Sequence, residues 1–458
     1  MGKAFIQEST LTDIADAIRL RKGVNDTFLP SQMAAALKGA TVALDVIEDG
    51  VNFYDYDGTL LYAYTQDEVL ASGWKLPPLP DRTKENLIND GWNWTAEQIV
   101  SYVNSNHWYL AVGCTYHTND NRTYIYLDVF ETNTNRQLCI YTGSSSEIKV
   151  NWGDGTTADL LNQTSTVVTL THDYVQDSGV KKEYVITIEA NGMWRFGTSY
   201  MCGTENANSS SRIKKILLSN NFNSILSYCF ASLTHLEKIS LYISSSSSAN
   251  NSTNVFQGCT SLRHITMPPC NHNFNQYAYD GCSSLQSVSI AYGNYQNMLR
   301  AYSGTKLKNI SLIARSMANG YTFSESGLQR YRVLSSNATI GTQSFYNCAE
   351  LFQLELNAAT TTINASAIRN CTSLIELTIP ENVASLGGYA LAGNTSLKRL
   401  YMRPKTPPAI ASTTLNNLPP DCKIYVWHDY LADYQQDASW SAFANQIYPY
   451  NYDLNMEV

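Results

Sequence analysis

One arrangement of apolar and polar positions is repeated along the second half of the chain, between Ile213 and Met402. Each unit opens with an aromatic or aliphatic residue, has a small residue three positions later and Leu six positions later, and carries apolar residues at the ninth and eleventh positions after the first. This last pair alternates with polar residues, which is the period of a strand with one buried face. The clearest copies are FQGCTSLRHITM, YDGCSSLQSVSI, FYNCAELFQLEL, IRNCTSLIELTI and LAGNTSLKRLYM.

The spacing of these units predicts a solenoid. One unit cannot bury its own apolar side, so coils of this length must stack on one another. The opening residues, which follow each other at intervals of 21 to 26 residues, are Phe230, Phe256, Tyr279, Tyr302, Phe323, Phe345, Ile368 and Leu391. The predicted inner row of leucines is Leu236, Leu262, Leu285, Leu307, Leu328, Leu351, Leu374 and Leu397. The units at Tyr302 and Phe323 are one residue shorter before the Leu, so we expect local irregularity there.

These units resemble the BspA-type leucine-rich repeats of bacterial and phage surface proteins, whose units read aF.gC.sL..I.l. The resemblance covers about two fifths of the chain, and phase, residue type and period agree in several consecutive units. It implies an interaction scaffold and does not name the partner.

The side chains that point out of the solenoid strands are the candidate binding site. They lie eight and ten positions after each opening residue, or seven and nine in the short units, and strand geometry turns them away from the core. Strands stacked about 4.8 Å apart would make them a flat strip roughly 40 Å long. An ordinary solvated face is the alternative interpretation. The candidate residues are Lys238, His264, Thr266, Arg330, Arg332, Gln353, Glu355, Glu376, Arg399 and Tyr401.

Residues 119–195 are predicted to form a β-sandwich. RTYIYLDVF, RQLCIYTG, EIKVNWGDGTTADL, STVVTLTHDY and KEYVITIEA are strand-like segments with turn signals between them. WGDGT at 152–156 followed by HDY at 172–174 resembles the motif pair of PKD-type domains. The resemblance implies a spacer, with Asp154 and Gly155 as a structural turn and a ligand-binding role as the alternative.

Residues 44–118 are predicted to form a small α+β unit, with a hairpin in VNFYDYDGTLLYAYT and a helix in TAEQIVSYVNS. FYDYDGTLL mimics the motif of haloacid dehalogenase-like phosphatases, in which Asp55 would attack phosphorus and Asp57 would act as acid and base. We interpret it as a hairpin turn, because too little chain follows for the required Lys and Mg²⁺ site and IEDGVN does not read as a buried parallel strand. GWNWT at 91–95 resembles phage tail modules.

Two further segments are predicted at the ends of the chain. LTDIADAIRLRKGVNDTFLPSQMAAAL predicts two short helices, and it resembles an N-terminal element of tail and fibre proteins from phages of gut Firmicutes. This resemblance implies an attachment or oligomerisation module, and a helical cap on the next domain is the alternative. The segment CKIYVWHDYLADYQQDASWSAFANQI is similar to the segment that ends BspA-like repeats, and its Tyr430, Tyr434, Trp440 and Phe443 are predicted to cover the last coil.

Composition narrows the classes of partner. The net charge is −8 and the charged fraction 15%, and the sequence has no basic cluster, which argues against a nucleic-acid partner. The chain contains 31 Tyr residues, and a polar, Tyr-rich surface suits recognition of glycans or proteins.

The cysteines and histidines indicate no cofactor and no metal. Cys259, Cys282, Cys348 and Cys371 share the fourth position of their units, which predicts small, buried, free thiols. No Cys-x-x-Cys pair occurs, and His264, Cys270 and His272 have no carboxylate at ligand spacing, so we interpret them as loop residues. No nucleophile and base pair can be proposed from spacing.

The sequence therefore predicts a mainly β protein: an N-terminal helical attachment module (1–43), a small α+β domain (44–118), a PKD-like or Ig-like β-sandwich (119–195), a leucine-rich-repeat solenoid (196–405) and a C-terminal cap (406–458). It contains no signal-peptide core and no membrane span, so we expect delivery outside the cell as part of a virion released by lysis.

The resemblances imply a phage tail protein that contacts a bacterial surface glycan or protein. It would attach to other tail or baseplate subunits through its N-terminal region, and it would form a homo-oligomer, for instance a trimer. The alternatives are a virion decoration protein, a bacterial surface adhesin and, less favoured, a glycan-degrading enzyme.

Overall fold

The structure, a computed structural model, describes residues 45–105, 108–129, 135–145, 147–174, 181–197, 201, 212–243, 251–269, 273–291, 299–311, 317–318, 320–333 and 339–457. Within them the fold is mainly β, as predicted. The helices predicted between residues 8 and 40 lie outside the described residues, as do Cys270 and His272. No helix in the described part of the chain is long and apolar enough to cross a membrane.

Residues 47–118, called the docked module below, form a four-stranded sheet of order β2-β1-β4-β3 with two helices packed on it. Strand β1 pairs parallel with β4 and antiparallel with β2, and β3 pairs antiparallel with β4. Both helices begin with a capping box, formed by Thr65 with Glu68 and by Thr95 with Gln98. The strands are β1 (Gly50–Tyr54), β2 (Leu60–Thr65), β3 (Leu87–Trp92) and β4 (Leu110–Thr118), and the helices are α1 (Gln66–Leu70), α2 (Ala96–Asn104) and a 3₁₀ turn (Thr83–Glu85).

The predicted sandwich is present, and one of its sheets runs directly into the solenoid. The six-stranded sheet has the order β13-β12-β5-β10-β7-β8, and the facing three-stranded sheet has the order β11-β6-β9. The strands are β5 (Arg122–Val129), β6 (Asn135–Tyr141), β7 (Glu147–Asn151), β8 (Thr157–Leu161), β9 (Val167–Asp173), β10 (Lys182–Ala190), β11 (Arg195–Phe196), β12 (Ile213–Leu217) and β13 (Lys238–Ser240).

Strand pairing is continuous between the sandwich and the solenoid, and the spacer role of the sandwich stays a prediction. Strand β12 pairs antiparallel with β5 on one side and parallel with β13 on the other. The sandwich therefore covers the first edge of the solenoid, which would otherwise expose unpaired backbone groups. One hydrophobic core runs without a break from Ile125 in the sandwich to Ile447 in the cap.

The solenoid coils carry short parallel strands on two sides. The face used below, the strand face, contains β13, β15, β17, β18, β20, β22, β24 and the cap strand β26, and its register places equivalent residues of neighbouring coils opposite each other. The strands are β14 (Asn251–Ser252), β15 (His264–Thr266), β16 (Asn273–Phe274), β17 (Ser287–Ser289), β18 (Arg330–Arg332), β19 (Thr339–Ile340), β20 (Gln353–Glu355), β21 (Thr362–Ile363), β22 (Glu376–Ile379), β23 (Ser385–Leu386), β24 (Arg399–Met402) and β25 (Ala409–Ile410).

The predicted leucine row is confirmed: all eight leucines have a relative exposure of 0%. The aromatic opening residues form a second buried column, in which the rings from Phe230 to Phe345 stack with centroids 5.3 to 5.9 Å apart. Irregularity is found in the unit at Tyr302, which has no strand among its described residues 299–311, whereas the unit at Phe323 contributes β18.

A second ladder of backbone hydrogen bonds joins the coils at their opening residues. In the unit at Phe256, for example, the amides of Asn254, Phe256 and Gly258 donate to carbonyls of the next coil. The residues two positions before and two positions after the opening residue have positive φ in all eight units, so the chain turns twice through the left-handed region in each coil.

The C-terminal cap is confirmed and extends the strand face. Strand β26 pairs with β24, and β27 and β28 follow at the edge. Tyr434 and Trp440 are fully buried and donate hydrogen bonds to the carbonyls of Pro404 and Pro408. The cap consists of β26 (Lys423–Trp427), a 3₁₀ turn (His428–Tyr430), α3 (Leu431–Gln436), a 3₁₀ helix (Ser441–Gln446), β27 (Ile447–Asn451) and β28 (Met456–Glu457).

Candidate binding face

All ten predicted site residues lie on strands of the strand face, and each alternates with a buried inward residue. The inward residues Ile239, Ile265, Tyr331, Leu354, Leu377 and Leu400 are 0 to 6% exposed. The structure brings Arg330 opposite Gln353, Arg332 opposite Glu355 and Glu376 opposite Arg399 on neighbouring strands. The alternation inferred from the sequence is therefore present, and a binding role for these residues stays a prediction.

The first half of the strand face is covered by the docked module. His264 is 1% exposed and Thr266 is 4% exposed. The expectation that the whole column faces solvent is wrong for these two residues, because strand β4 of the docked module packs against β13, β15 and β17. The interpretation of His264 as a loop residue is also wrong, since it belongs to β15.

His264 is neutral and lies in the interface between the docked module and the repeats, which we call the seam. Both of its ring nitrogens have hydrogen-bond partners there. Its Nδ1 lies 2.6 Å from the hydroxyl of Ser287, its Nε2 lies 2.9 Å from the hydroxyl of Thr266, and its ring stacks on Tyr54 with centroids 5.3 Å apart. Burial lowers the pKa of His264 to about 3. The side chain therefore helps to hold the docked module and is not available to a ligand.

Polar side chains of the GWNWT motif anchor the docked module to backbone groups of the repeats. The Asn93 amide donates to the carbonyls of Met267 and Ser289 at 3.0 and 3.2 Å, and the Trp94 indole donates to the carbonyl of Ile290 at 2.7 Å. In the opposite direction, the Ser240 hydroxyl donates to the carbonyl of Tyr116 at 2.8 Å. Because these side chains are hydrogen-bonded to particular backbone carbonyls, the seam is a specific interface.

Gly113 permits this close approach. A Cβ atom at this position would lie 2.3 Å from Oγ1 of Thr266 and 2.8 Å from Cβ of Ser289, which is too close for any side chain. The backbone of β4 therefore lies directly on the side chains of β15 and β17.

Ion pairs and ring contacts mark the border of the covered half. Lys238 pairs with Asp57 at 3.2 Å, and Arg330 pairs with Asp49 at 2.9 Å. The guanidinium groups of Arg330 and Arg332 lie over the Trp108 ring, 4.8 and 4.5 Å from its centroid. These contacts fasten the outer edge of the docked module to β18.

Beyond Trp108 the strand face is open. Gln353, Glu355, Arg399 and Tyr401 are partly exposed and Glu376 is exposed. Arg332 pairs with Glu355 at 2.5 Å, and Arg399 pairs with Glu376 across adjacent strands. The open half is thus a polar surface whose charges are paired with one another.

A cluster of aromatic rings continues the open half onto the cap. We call it the aromatic patch, and it comprises Tyr401, Tyr425, Trp427, Tyr448, Tyr450 and Tyr452. Contacts with centroids 4.8 to 6.4 Å apart join all six rings. Sequence reasoning identified Tyr401 alone, although the alternation of aromatic residues in KIYVW and IYPYNY is a signal that could have revealed the others.

A polar cavity of about 270 Å³ lies where the hairpin turn of the docked module meets the repeats. Its lining residues are Asp57, Gly58, Thr59, Glu237, Lys238, Arg263, Gln286 and Ser287. Carboxylates and cations are mixed in its wall, and the Lys238 and Asp57 pair closes one side.

The phosphatase-like motif forms the predicted hairpin turn, in which the Gly58 amide donates to the carbonyl of Asp55 at 3.0 Å. One argument against the phosphatase interpretation was wrong, however, because β1 is fully buried and pairs parallel with β4. The Asp55 carboxylate is occupied by Arg82, whose Nε lies 2.8 Å from Oδ2, and by the Tyr56 amide at 2.8 Å from Oδ1. Among the described residues, no group of three or more His, Cys, Asp or Glu side chains could hold a metal ion.

The two motifs of the sandwich contact each other. Nε2 of His172 lies 2.8 Å from Oδ2 of Asp154, the His172 ring stacks on Trp152 at 4.8 Å, and the Tyr174 hydroxyl donates to the carbonyl of Trp152 at 2.7 Å. Thr156 donates to the other oxygen of Asp154 through its amide and its hydroxyl. These contacts give Asp154 a structural role in joining two strands.

The eight cysteines in the described residues are free and buried, as predicted for the repeat units. The thiols of Cys259, Cys282, Cys348 and Cys371 each donate to the carbonyl of the opening residue of the preceding coil at 3.0 to 3.1 Å. Burial raises the pKa of Cys259 and of Cys348 to about 12. The thiols are therefore structural donors and poor nucleophiles.

Comparison with known proteins identifies the repeats. Residues 204–319 and 316–418 match the family described as BspA type Leucine rich repeat region, in six copies. The chain therefore carries BspA-type leucine-rich repeats, which agrees with the resemblance found in the sequence. No curated protein matches the chain.

Three solved structures show distant similarity to parts of the chain. A leucine-rich repeat protein from Bacteroides ovatus is 19% identical with a TM-score of 0.37, and the match covers 51% of this chain and 63% of that one. A leucine rich cell surface protein from Faecalibacterium prausnitzii is 16% identical with a TM-score of 0.28, and the match covers 48% of this chain and 53% of that one. The pneumococcal vaccine antigen PcpA is 13% identical with a TM-score of 0.28, and the match covers 57% of this chain and 84% of that one. The chain thus spans less than two thirds of the first two of these proteins.

Proposed function

We propose that this protein binds a component of the bacterial cell surface through the open half of its strand face, without catalysis, as a receptor-binding subunit of a phage tail. One observation carries the proposal: the strand face already holds a folded module. Hydrogen bonds from Asn93 and Trp94 and the ion pair of Arg330 with Asp49 attach that module to the first half. The second half presents similar strands to solvent and is free to bind another molecule.

The charge distribution of the open half supports binding rather than bond cleavage. Glu355 and Glu376 are each paired with an arginine on a neighbouring strand. A catalytic carboxylate must reach its substrate, whereas both of these carboxylates are already engaged by arginine side chains.

The phage setting rests on the resemblances of residues 11–37 and 91–95 to tail proteins. In this setting the N-terminal region would attach the subunit to other tail or baseplate proteins, the subunit would form a homo-oligomer such as a trimer, and the protein would be located in the virion. A bacterial surface adhesin is the second candidate, favoured by the BspA-type repeats, which resemble those of bacterial and phage surface proteins. Immunogold labelling of purified particles and of cell envelopes separates the two: label on particles supports the tail subunit, and label on envelopes alone supports the adhesin.

Adsorption of the full-length protein to bacterial cells tests the binding function. Deleting the repeats by truncation near residue 200 is not a suitable test of binding. It would also remove β12, which pairs with β5, and the coils on which the docked module packs. Thr378, which is exposed on β22, can instead be changed to Arg to block the open half. We expect Thr378→Arg to reduce adsorption about tenfold, and the exposed sandwich control Thr164→Arg to leave it unchanged. Equal adsorption of both variants and the wild type would contradict the proposal.

A further inference from the structure

The aromatic patch lies on the outer side of the sheet formed by β24, β26 and β27, away from the hydrophobic core of the solenoid. The outward residues Tyr401, Tyr425 and Tyr448 lie opposite one another on β24, β26 and β27. The inward residues between them, such as Leu400, Ile424 and Ile447, belong to the hydrophobic core, whereas no ring of the aromatic patch does. Burial accounts for Tyr425 and Tyr450, but it does not explain why the other four rings stay accessible on this side of the sheet.

The rings at the border of the aromatic patch are accessible. Tyr448 is 39% exposed, and Tyr401, Trp427 and Tyr452 are partly exposed, while Tyr425 and Tyr450 are buried beneath them. A ligand that approaches the sheet would therefore meet aromatic ring surfaces supported from below by further rings, which keeps them in fixed positions.

The charges around the aromatic patch are largely neutralised. Lys423 pairs with Glu457 at 3.2 Å, Lys405 pairs with Glu381 at 3.7 Å, and Arg399 pairs with Glu376. Arg403 lies over the Tyr452 ring, 5.3 Å from its centroid. With each of three cations matched by a carboxylate, the surface does not favour a strongly charged ligand.

We propose that the aromatic patch binds a neutral polysaccharide of the bacterial surface, an inference that rests on the proposed function and names its ligand class. The C–H faces of pyranose rings are apolar and pack on exposed aromatic rings, while their hydroxyl groups form hydrogen bonds with polar side chains at the border. Thr378, Arg403 and Glu457 supply such groups around the exposed rings. Adjacent strands lie about 4.8 Å apart, close to the length of one pyranose unit, so successive sugars along a chain can meet successive strands.

The composition of the outward positions favours a glycan over a protein partner. The cores of protein interfaces are depleted in Lys and Glu, whereas the outward residues on β22, β24 and β26 include both: they are Glu, Thr, Arg, Tyr, Lys and Trp. Met456 on β28 is exposed, but it does not add an apolar side chain to this surface. Strand alternation directs it to the other side of the sheet from Glu457.

Affinity electrophoresis of the full-length protein in gels containing dextran, mannan, galactan or mixed-linkage β-glucan tests this inference. We expect at least one of these neutral polymers to retard the protein, and we expect the double substitution Tyr401→Ser with Tyr448→Ser to weaken that binding about tenfold or more. Tyr389→Ser is a matched control, because Tyr389 is also 39% exposed, lies on a turn away from the strand face, and is replaced by Ser366 at the equivalent position of the preceding unit. This control should bind like the wild type.

Salt and anionic polymers separate neutral from charged recognition. Raising NaCl from about 0.1 M to about 0.5 M should change the dissociation constant by less than about twofold, because no ion pair with the ligand is screened. Retardation by hyaluronate or polygalacturonate alone would overturn the inference, as would retardation by none of the four neutral polymers or equal binding by the double variant. A double variant that instead loses self-association in sedimentation experiments would identify the aromatic patch as an interface between copies of the chain, which also overturns it.

The cell-adsorption experiment with Thr378→Arg keeps the two proposals separate. If that substitution abolishes adsorption while the double Tyr variant adsorbs normally, the strand face binds the cell surface and the polysaccharide inference fails. If neither variant differs from the wild type, the proposed function fails as well.

Discussion

The imidazole of His264 stacks on the phenol ring of Tyr54 with centroids 5.3 Å apart, although the two residues belong to a repeat coil and to the docked module, respectively. The contact places a residue with an outward strand position inside the protein. It also explains why this histidine stays neutral, since burial lowers its pKa to about 3.

This neutral histidine should make the protein less stable in acid. An unfolded chain protonates His264 near its ordinary pKa of about 6.5, whereas the folded protein does not bind that proton until about pH 3. The contribution of neutral His264 to the free energy of unfolding is therefore fully present above pH 6.5. It falls by about 1.4 kcal/mol for each pH unit between pH 6.5 and about pH 3. Denaturant titrations at pH 7 and pH 5 should show a smaller acid-induced loss in His264→Gln than in the wild type.

The exposed His235 supplies the control for this experiment. His235→Gln should retain the acid-induced loss of the wild type. An identical pH dependence for the wild type and His264→Gln would show that His264 is not held neutral in the seam.

The approach at Gly113 predicts a steric penalty that a second substitution relieves. Gly113→Ala places a Cβ 2.3 Å from Oγ1 of Thr266, and overpacking of this kind costs about 1 to 3 kcal/mol. In a Thr266→Ala background the penalty should fall, because both atoms of Thr266 that clash with the new Cβ are removed. A double-mutant cycle of unfolding free energies measures this coupling, and strictly additive effects would contradict the seam geometry.

Asn394 replaces the repeated cysteine in the last unit and makes three buried hydrogen bonds. Its Nδ2 donates to the carbonyls of Ile368 and Leu391 at 2.9 and 3.0 Å, and its Oδ1 accepts from the Cys371 amide at 2.8 Å. Asn394→Ala should destabilise the fold by about 3 kcal/mol, because buried polar groups lose their partners.

Asn394→Cys is the matched comparison. A thiol at this position of other coils donates to the equivalent carbonyl, so this variant should lose less stability than Asn394→Ala. The melting temperatures of the two variants should differ in that order, and the reverse order would show that the shared column does not define equivalent sites.

The buried thiols should resist alkylation in the native protein. The pKa of Cys259 and of Cys348 is raised to about 12, so near pH 8 almost no thiolate forms, and the side chains have no access to solvent. Peptide mapping after treatment with iodoacetamide should find the eight described cysteines unmodified until denaturant is added. Rapid native labelling of Cys259 or Cys348 would mean that the coils open far more readily than their packing indicates.

The repeated features of the fold could be predicted because each is written many times. The leucine row, the buried thiols and the strand alternation each occur at a fixed position of the unit. A departure from the pattern in one unit therefore does not hide it. The left-handed residue two positions after the opening residue also has a sequence signal, since Gly258, Gly281, Gly304 and Gly393 occupy it together with Asn347 and Asn370. The equivalent position before the opening residue carries Asn only at Asn254 and otherwise Tyr, Arg, Gln or Ser, which give no such signal.

The α+β character of the docked module could be predicted, but its position on the repeats could not, because its contacts with the repeats occur once and join segments far apart in sequence. A weak signal was nevertheless present in the second outward column. It contains the small residues Ser240, Thr266, Ser289 and Ser311 under the docked module, then Arg332 at its border, and Glu355, Thr378 and Tyr401 in the open half. Small hydroxyl residues allow a second backbone to approach, and all four are at most 5% exposed.

The position of the docked module also sets how such a protein can diverge. Its contacts with the repeats are tied to individual residues, from Lys238 at one edge to Arg332 at the other, so a whole coil inserted among them would break their register. A coil duplicated between β20 and β24 would meet no such constraint, because each coil there contacts its neighbours through the same backbone ladder and the same leucine. Lineages of this architecture can therefore lengthen their reach by copying late units while the anchored beginning stays the same.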